Sequence, residues 1–183
     1  MPINYGINSK TMSESVIEIY EKIHKVLSIH CKLNFLAMSA TQVLGFNGFK
    51  RWHRMRSREL MELKYCLANE LFDKFRIAPI FKDYELNYSP ADLKEHLESW
   101  DKVILNAIEE LGTANKEYYE VIGMNSKVIK KALCIFMKDF EKVGRYLKRF
   151  TESDWLSLDM HTVDDKLHEK FKCKEEKYGL KYN

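Results

Sequence analysis

Turn formers are scarce in this chain, and they are grouped. Seven glycines and three prolines serve 183 residues. That is too few to punctuate a turn-rich β-sandwich, but enough to separate a handful of long helices. The breaks are "GFNG" at 45–48, the segment from Pro79 to Pro90, and "GMNS" at 123–126. Between them apolar residues recur every three or four positions, the spacing of one helical face. Val16, Tyr20, Ile23, Leu27, Asn34 and Met38 mark a stripe in a helix predicted over 13–41. Phe49, Trp52, Leu60, Leu63, Leu67 and Leu71 mark a second, over 48–75. Leu97, Ile104, Ile108 and Leu111 mark a third, which runs to about 120 with Ser89 as its cap and Pro90 at its first position. Val128, Ala132, Phe136, Val143, Leu147 and Phe150 mark a fourth over 127–150, capped by Ser126 or Asn125. A short fifth helix is expected over 162–173, after a "TESD" loop. The connection "RIAPIFKDYELNYSP" is long for a hairpin and suits a crossover running the length of a bundle. The expectation is one all-α domain over 1–183, with an N-terminal extension at 1–12 and a charged tail at 174–183.

Composition narrows the function classes. With 45% apolar and 31% charged residues the chain reads as a globular protein for an aqueous compartment. A net charge of +3 is too balanced to argue for a nucleic-acid partner. "KRWHRMRSR" is locally basic, but on a helix its charges spread around the cylinder as a solvated face. No apolar run reaches the ~18–20 residues that cross a bilayer, so no membrane partner is expected. The N-terminus lacks a basic-then-apolar order, which leaves the cytoplasm as the default. Cys31, Cys66, Cys134 and Cys173 are too widely spaced for a zinc motif or a disulfide framework. Three of them, Cys31, Cys66 and Cys134, fall in the long predicted helices and read as small core residues.

Polar residues on apolar stripes are the candidates for chemistry. Asp101 falls between Leu97 and Ile104, and Asp139 falls seven residues after Ala132 and four before Val143. A carboxylate in an apolar interior is costly unless it is paired or binds a cation. Two on neighbouring helices can share a metal ion; alternatively each sits at the margin, reaching water or meeting a Lys or Arg. His30 lies about 60° from the centre of the first stripe, where it can turn inward as a ligand or as a hydrogen-bonded core residue. Glu59 and Glu62 form an E-x-x-E pair. Glu59 flanks the second stripe at about 70°, and Glu62 lies beyond about 120°, toward water or a neighbouring subunit.

Five segments carry a family resemblance. They are "CKLNFLAMSA" in the first helix, "GFNGFKRW" followed by "SRELMELKYCL" in the second, "AIEELGTAN" ending the third, "EKVGRYLKRF" ending the fourth, and "WLSLDMHTVDDKL" entering the fifth. Over almost its full length the chain resembles ferritin. The resemblance implies a four-helix bundle with a long crossover between its second and third helices and a short fifth helix. It implies a shell of twenty-four subunits. Ile19, Ile29 and Leu36 lie off the inner stripe of the first helix, and Met61 and Phe72 off that of the second, where they are either subunit contacts or scattered surface apolar residues. The resemblance also implies ferrous iron as substrate, oxidised at a di-iron centre inside each bundle and stored in the cavity. The DNA-protecting miniferritins lack the fifth helix, so "DDKLHEKFK" argues against that variant.

Carried over residue by residue, the ferroxidase centre is altered. The first-helix Glu falls at Ser28, or at His30 with two residues of slippage. The second-helix Glu and His fall at Leu60 and Leu63, or at Glu59 and Glu62 with a shift of one. The third-helix Glu falls at Asp101. The fourth-helix Glu–Gln pair becomes Ile135 and Phe136, while Asp139 matches an additional acid of bacterial-type members. The implied iron ligands are Glu59, Glu62, Asp101, Asp139 and His30. The implied function is iron storage in a cage with an atypical, slow ferroxidase. The alternative is a ferritin-like shell without redox chemistry, acting as a structural or binding protein.

Overall fold

The computed structural model describes residues 9–77, 82–152 and 157–177. Five helices account for nearly all of them: α1 (Ser9–Val43), α2 (Asn47–Phe75), α3 (Leu93–Ile122), α4 (Lys127–Glu152) and α5 (Ser157–Lys177). The fold is all-α, and no strand occurs among the described residues.

Glycines set two of the turns. Gly45 has φ +83°, its N–H bonds the Gln42 carbonyl, and the Phe46 N–H bonds that of Thr41. This pair of bonds is the Schellman closure, which needs a left-handed residue that glycine supplies at little cost. Gly123 ends α3 in the same region at φ +75°. Ser126 then opens α4, its Oγ accepting the Ile129 N–H at 3.3 Å.

The start of α3 differs from the sequence expectation. Asp92, not Ser89, is the cap, and the helix begins at Leu93. Asp92 Oδ1 accepts the Glu95 N–H at 2.8 Å, and the Glu95 carboxylate accepts the Ala91 N–H at 2.7 Å. Two backbone donors are satisfied reciprocally, which the Ser-Pro pair three residues earlier cannot match. α5 is also longer than the predicted short helix. Only Cys31 is buried; Cys66, Cys134 and Cys173 are exposed, contrary to the core reading of Cys66 and Cys134.

Side-chain contacts fix the helix directions. Asn34 meets His53 and Cys31 meets Ser57, so α1 and α2 are antiparallel. Phe49 meets Tyr146, Trp52 meets Lys142 and Arg56 meets Asp139, so α4 is antiparallel to α2. His53 meets His96 while Lys74 meets Tyr118, so α3 runs parallel to α2. α1 packs on α2 and α3, and α4 packs on α3 and α2, which closes a ring. The order is up, down, down, up.

Because α2 and α3 are parallel, their connection must travel the helix length. A 29-residue helix such as α2 is about 44 Å long, and extended chain covers about 3.3 Å per residue, so the segment between α2 and α3 suffices. Lys32 of α1 holds this crossover, donating to Asp83 at 2.9 Å and to the Tyr84 carbonyl.

α5 packs on α2. α2 begins without a side-chain cap of its own. Asp164 of α5 supplies one from a distance, accepting the Phe49 N–H at 2.8 Å while itself buried. A carboxylate at a helix N-terminus is doubly favoured, by the hydrogen bond and by the helix dipole. The approach is possible because residue 48 is glycine: a Cβ there would lie 1.9 Å from the Asp164 carbonyl oxygen. Gly48→Ala should therefore displace α5 and cost about 2–3 kcal/mol. Gly45→Ala meets no neighbouring atom and should cost only the left-handed backbone penalty of about 1 kcal/mol. Chemical denaturation of the two variants ranks them; equal losses would mean that the Gly48–Asp164 contact does not hold α5.

Candidate functional site

The interior between the helices holds two polar constructions. The first is an ion cluster. Arg56 lies four residues after Trp52 and four before Leu60, on the inward stripe of α2. Its Nε and Nη2 donate to the two carboxylate oxygens of Asp139 on α4, each at 2.6 Å. Its Nη1 pairs with Glu59. The Asp139 and Arg56 side chains are only 5% and 14% exposed, so this is a buried bidentate pair. Burial pulls the guanidinium pKa down, but the charge and hydrogen bonds of Asp139, then of Glu59, more than offset this, and the net shift is upward.

The second construction is a line of hydrogen bonds across the core. Asn34 Nδ2 donates to the His30 carbonyl at 2.8 Å, which leaves Asn34 Oδ1 as the acceptor facing His53 Nδ1 at 2.9 Å. His53 Nδ1 must then carry the proton, so a neutral His53 accepts at Nε2. The partner there is His96 Nε2 at 3.1 Å, which must donate. His96 Nδ1 is thereby an acceptor, and Tyr88 Oη donates to it at 2.7 Å. One direction of donation runs from the crossover through α3 and α2 to α1. Trp52 stacks on His53, and Trp100 stacks on His96.

This arrangement requires neutral imidazoles. A second proton on His53 would set two N–H groups head to head between His53 and His96, and one on His96 would fall on Nδ1, where Tyr88 donates. Burial holds His53 well below its usual range, with His96, Arg56 and Lys142 adding positive charge nearby. Burial alone pushes His96 down to about 4. His30 is pushed down to about 4 in the same way. It stands edge-on to Phe136 at 4.8 Å, and its Nδ1 has no hydrogen-bond partner among the described residues.

The five candidate ligands are dispersed. Asp139 and Glu59 meet only through Arg56. Asp101 is half-buried at the flank of α3, where Trp100 and Ile104 take the inward places, and burial raises its carboxyl pKa. Glu62 is exposed. His30 and Ser28 are both buried. Leu60 and Leu63 take the inward positions of α2. Among the described residues no three His, Cys, Asp or Glu side chains come together as metal ligands would. A separate cavity of about 460 Å³ lies between α1, α2 and the crossover, walled by Tyr20, Leu67, Leu71 and Ile77 and rimmed by Lys25 and Lys82.

Arg56, His53 and His96 escaped sequence reasoning, although the signal was present. Arg56 and His53 sit four residues from apolar stripe members, much as Asp101 and Asp139 do, and His96 sits three and four residues from Leu93 and Trp100, which the stripe left out. No family model matches the chain, and no curated protein matches it.

Two predictions follow the geometry. The folded histidines bind protons less readily than the unfolded ones, whose pKa is about 6.5. Their stabilising contribution is complete above pH 6.5 and is lost as pH falls from 6.5 toward 4. His30 and His96 should each forfeit about 3 kcal/mol over that window, with His53 acting in the same direction. Together these losses reach the lower end of the about 5–15 kcal/mol that keeps an ordinary domain folded. Denaturation midpoints measured at half-unit pH steps should fall steeply below 6.5; a flat profile down to pH 4 would contradict neutral buried imidazoles.

The ion cluster gives an asymmetric mutational pattern. Asp139→Asn strands a buried guanidinium, and Arg56→Met strands a buried carboxylate; each should cost about 3–5 kcal/mol. The double replacement Arg56→Met with Asp139→Leu should recover most of that loss, because no unpaired charge remains. Additive losses in the double-mutant cycle would show that the pair is not coupled.

Proposed function

We propose that the chain is a ferritin-like bundle that works as a structural or binding subunit, not as an iron oxidase. The observation that carries this reading is the engagement of both Asp139 oxygens by Arg56. Oxidation of ferrous iron at a carboxylate site needs ligand oxygens facing an open coordination position. Here a guanidinium already supplies the cation between Asp139 and Glu59. The inward leucines at 60 and 63 offer no ligand atoms on α2.

The ferritin-like part of the reading is supported by helix order. One long crossover between two parallel helices, with antiparallel hairpins on either side, is how ferritin-like bundles differ from simple up–down bundles. Exposed Met61, Tyr65 and Phe72 on one side of α2 suit a subunit contact. The competing reading, iron storage with slow oxidation at Glu59, Asp101 and Asp139, requires the guanidinium to leave.

Ferrous iron added to the protein in air separates the two. The expected rate of ferric absorbance is that of buffer alone, and it should be unchanged in Asp101→Ala. A rate above buffer that is lost in Asp101→Ala would replace this reading with the oxidase. Light scattering tests the shell independently: a mass far above that of one chain is expected, and the monomer mass would remove the shell.

A further inference from the structure

α4 carries mostly positive charge on its outside. Its sequence holds eight Lys and Arg against three acids. One of those acids, Asp139, is turned inward and consumed by Arg56. At 100° per residue Lys127, Lys131, Lys138, Arg145 and Arg149 fall within about 40° of one another, flanked by Lys130 and Lys148. All seven are exposed, while Ala132, Phe136 and Val143 face the core on the opposite side. Between 127 and 149 Glu141 is the one exposed acid, and it falls within the basic face, between the row and its flanking Lys130 and Lys148. Lys127, Lys130, Lys131, Lys138 and Arg145 make no ion pair with the described residues. The row is about 33 Å long.

The row widens where α5 arrives. Lys142 Nζ sits 4.8 Å over the Trp52 ring and 5.2 Å over that of Phe171, and Lys174 Nζ lies over the same Phe171 ring at 5.5 Å. Burial pushes Lys142 down to about 8; the Asp139 carboxylate opposes this, and the charges of Lys170, Arg56 and Lys174 add to the depression. Cations are gathered here in spite of mutual repulsion.

Nothing in the fold demands this. Like charges three and four residues apart each cost a few tenths of a kcal/mol on a helix. The neighbouring α3 avoids it, mixing Lys94, Lys102 and Lys116 with Glu98, Glu109 and Glu120 on its outside. Since the whole chain is only +3, a net of five positive charges on α4 leaves the rest slightly acidic. Net charge therefore conceals a segregated surface.

We propose that the outer face of α4, extended by Lys170 and Lys174 of α5, binds the phosphate backbone of duplex nucleic acid without sequence preference. A row of cations of one sign matches a row of phosphates. It does not match the mixed outer face of α3 on a second copy. A lipid surface would be met by apolar residues beside the lysines, and among the described residues Met137 is the one large apolar side chain exposed on α4. Among the described residues no exposed aromatic ring interrupts the row to stack single-stranded bases. The proposal is independent of the shell reading.

Fluorescence anisotropy of a labelled, mixed-sequence DNA duplex of about 20 base pairs tests it, titrated from about 50 to 200 mM salt. Binding should weaken steeply with salt, with a log–log slope of about −4 for roughly five neutralised phosphates. K131E/K138E/R145E should lower affinity at least about 100-fold and flatten the slope by about 2 to 3. Its thermal melting should match the parent, because the three side chains are exposed. A second duplex of unrelated sequence should bind equally. Absence of binding at about 100 µM protein in the lowest salt would overturn the proposal. So would an unaffected triple variant, capture by phosphatidylserine vesicles but not by the duplex, or self-association lost in the variant without any duplex binding.

Discussion

A guanidinium held between two carboxylates sets the terms on which α2 and α4 meet. Arg56 has little exposure, and Asp139 has less. Neither charge is tolerable in that position alone. The Arg56–Asp139 pair therefore requires α4 to lie antiparallel to α2, with these two residues at one level. Trp52, Lys142, Phe49 and Tyr146 fall into register beside it. Such a pair contributes little net stability compared with an apolar replacement, but it penalises every other register heavily. It also occupies the place where a metal-binding interpretation would put a cation.

The line from Tyr88 to Asn34 does similar work for the other helices. It ties the crossover to α3, α3 to α2, and α2 to α1, through groups that must each be donor or acceptor in a single sense. A buried polar chain of this kind is specific because any break strands a donor or an acceptor in the core. It makes the interior intolerant of protons, and it joins three helices and a loop into one cooperative unit. The two interior constructions are adjacent but distinct: charge is confined to the α2–α4 side, and neutral imidazoles lie toward α3.

The outside obeys a different rule. Charge on α3 is evenly mixed and charge on α4 is predominantly positive, although the two helices form one hairpin. The core fixes which residues point inward, but it leaves the sign of the outward ones free. A sustained single-sign row is therefore a property of the surface, and its explanation lies in what the surface meets.

Helix number, helix location and inward stripes were legible in the sequence, because the 3.6-residue period and the scarce turn formers act locally. The stripe on α2 is buried at each of Phe49, Trp52, Leu60, Leu63, Leu67 and Leu71, as its spacing required. Local patterning also placed Asp139 inward. It could not name the partner: Arg56 is 83 residues away in sequence, and only the antiparallel packing of α2 against α4 brings the two together. The same limit hid the His53–His96 contact and the capping of α2 by Asp164. Periodicity tells which way a side chain faces. What it faces, and so whether a buried acid is open to a cation or already neutralised, was decided by tertiary structure alone.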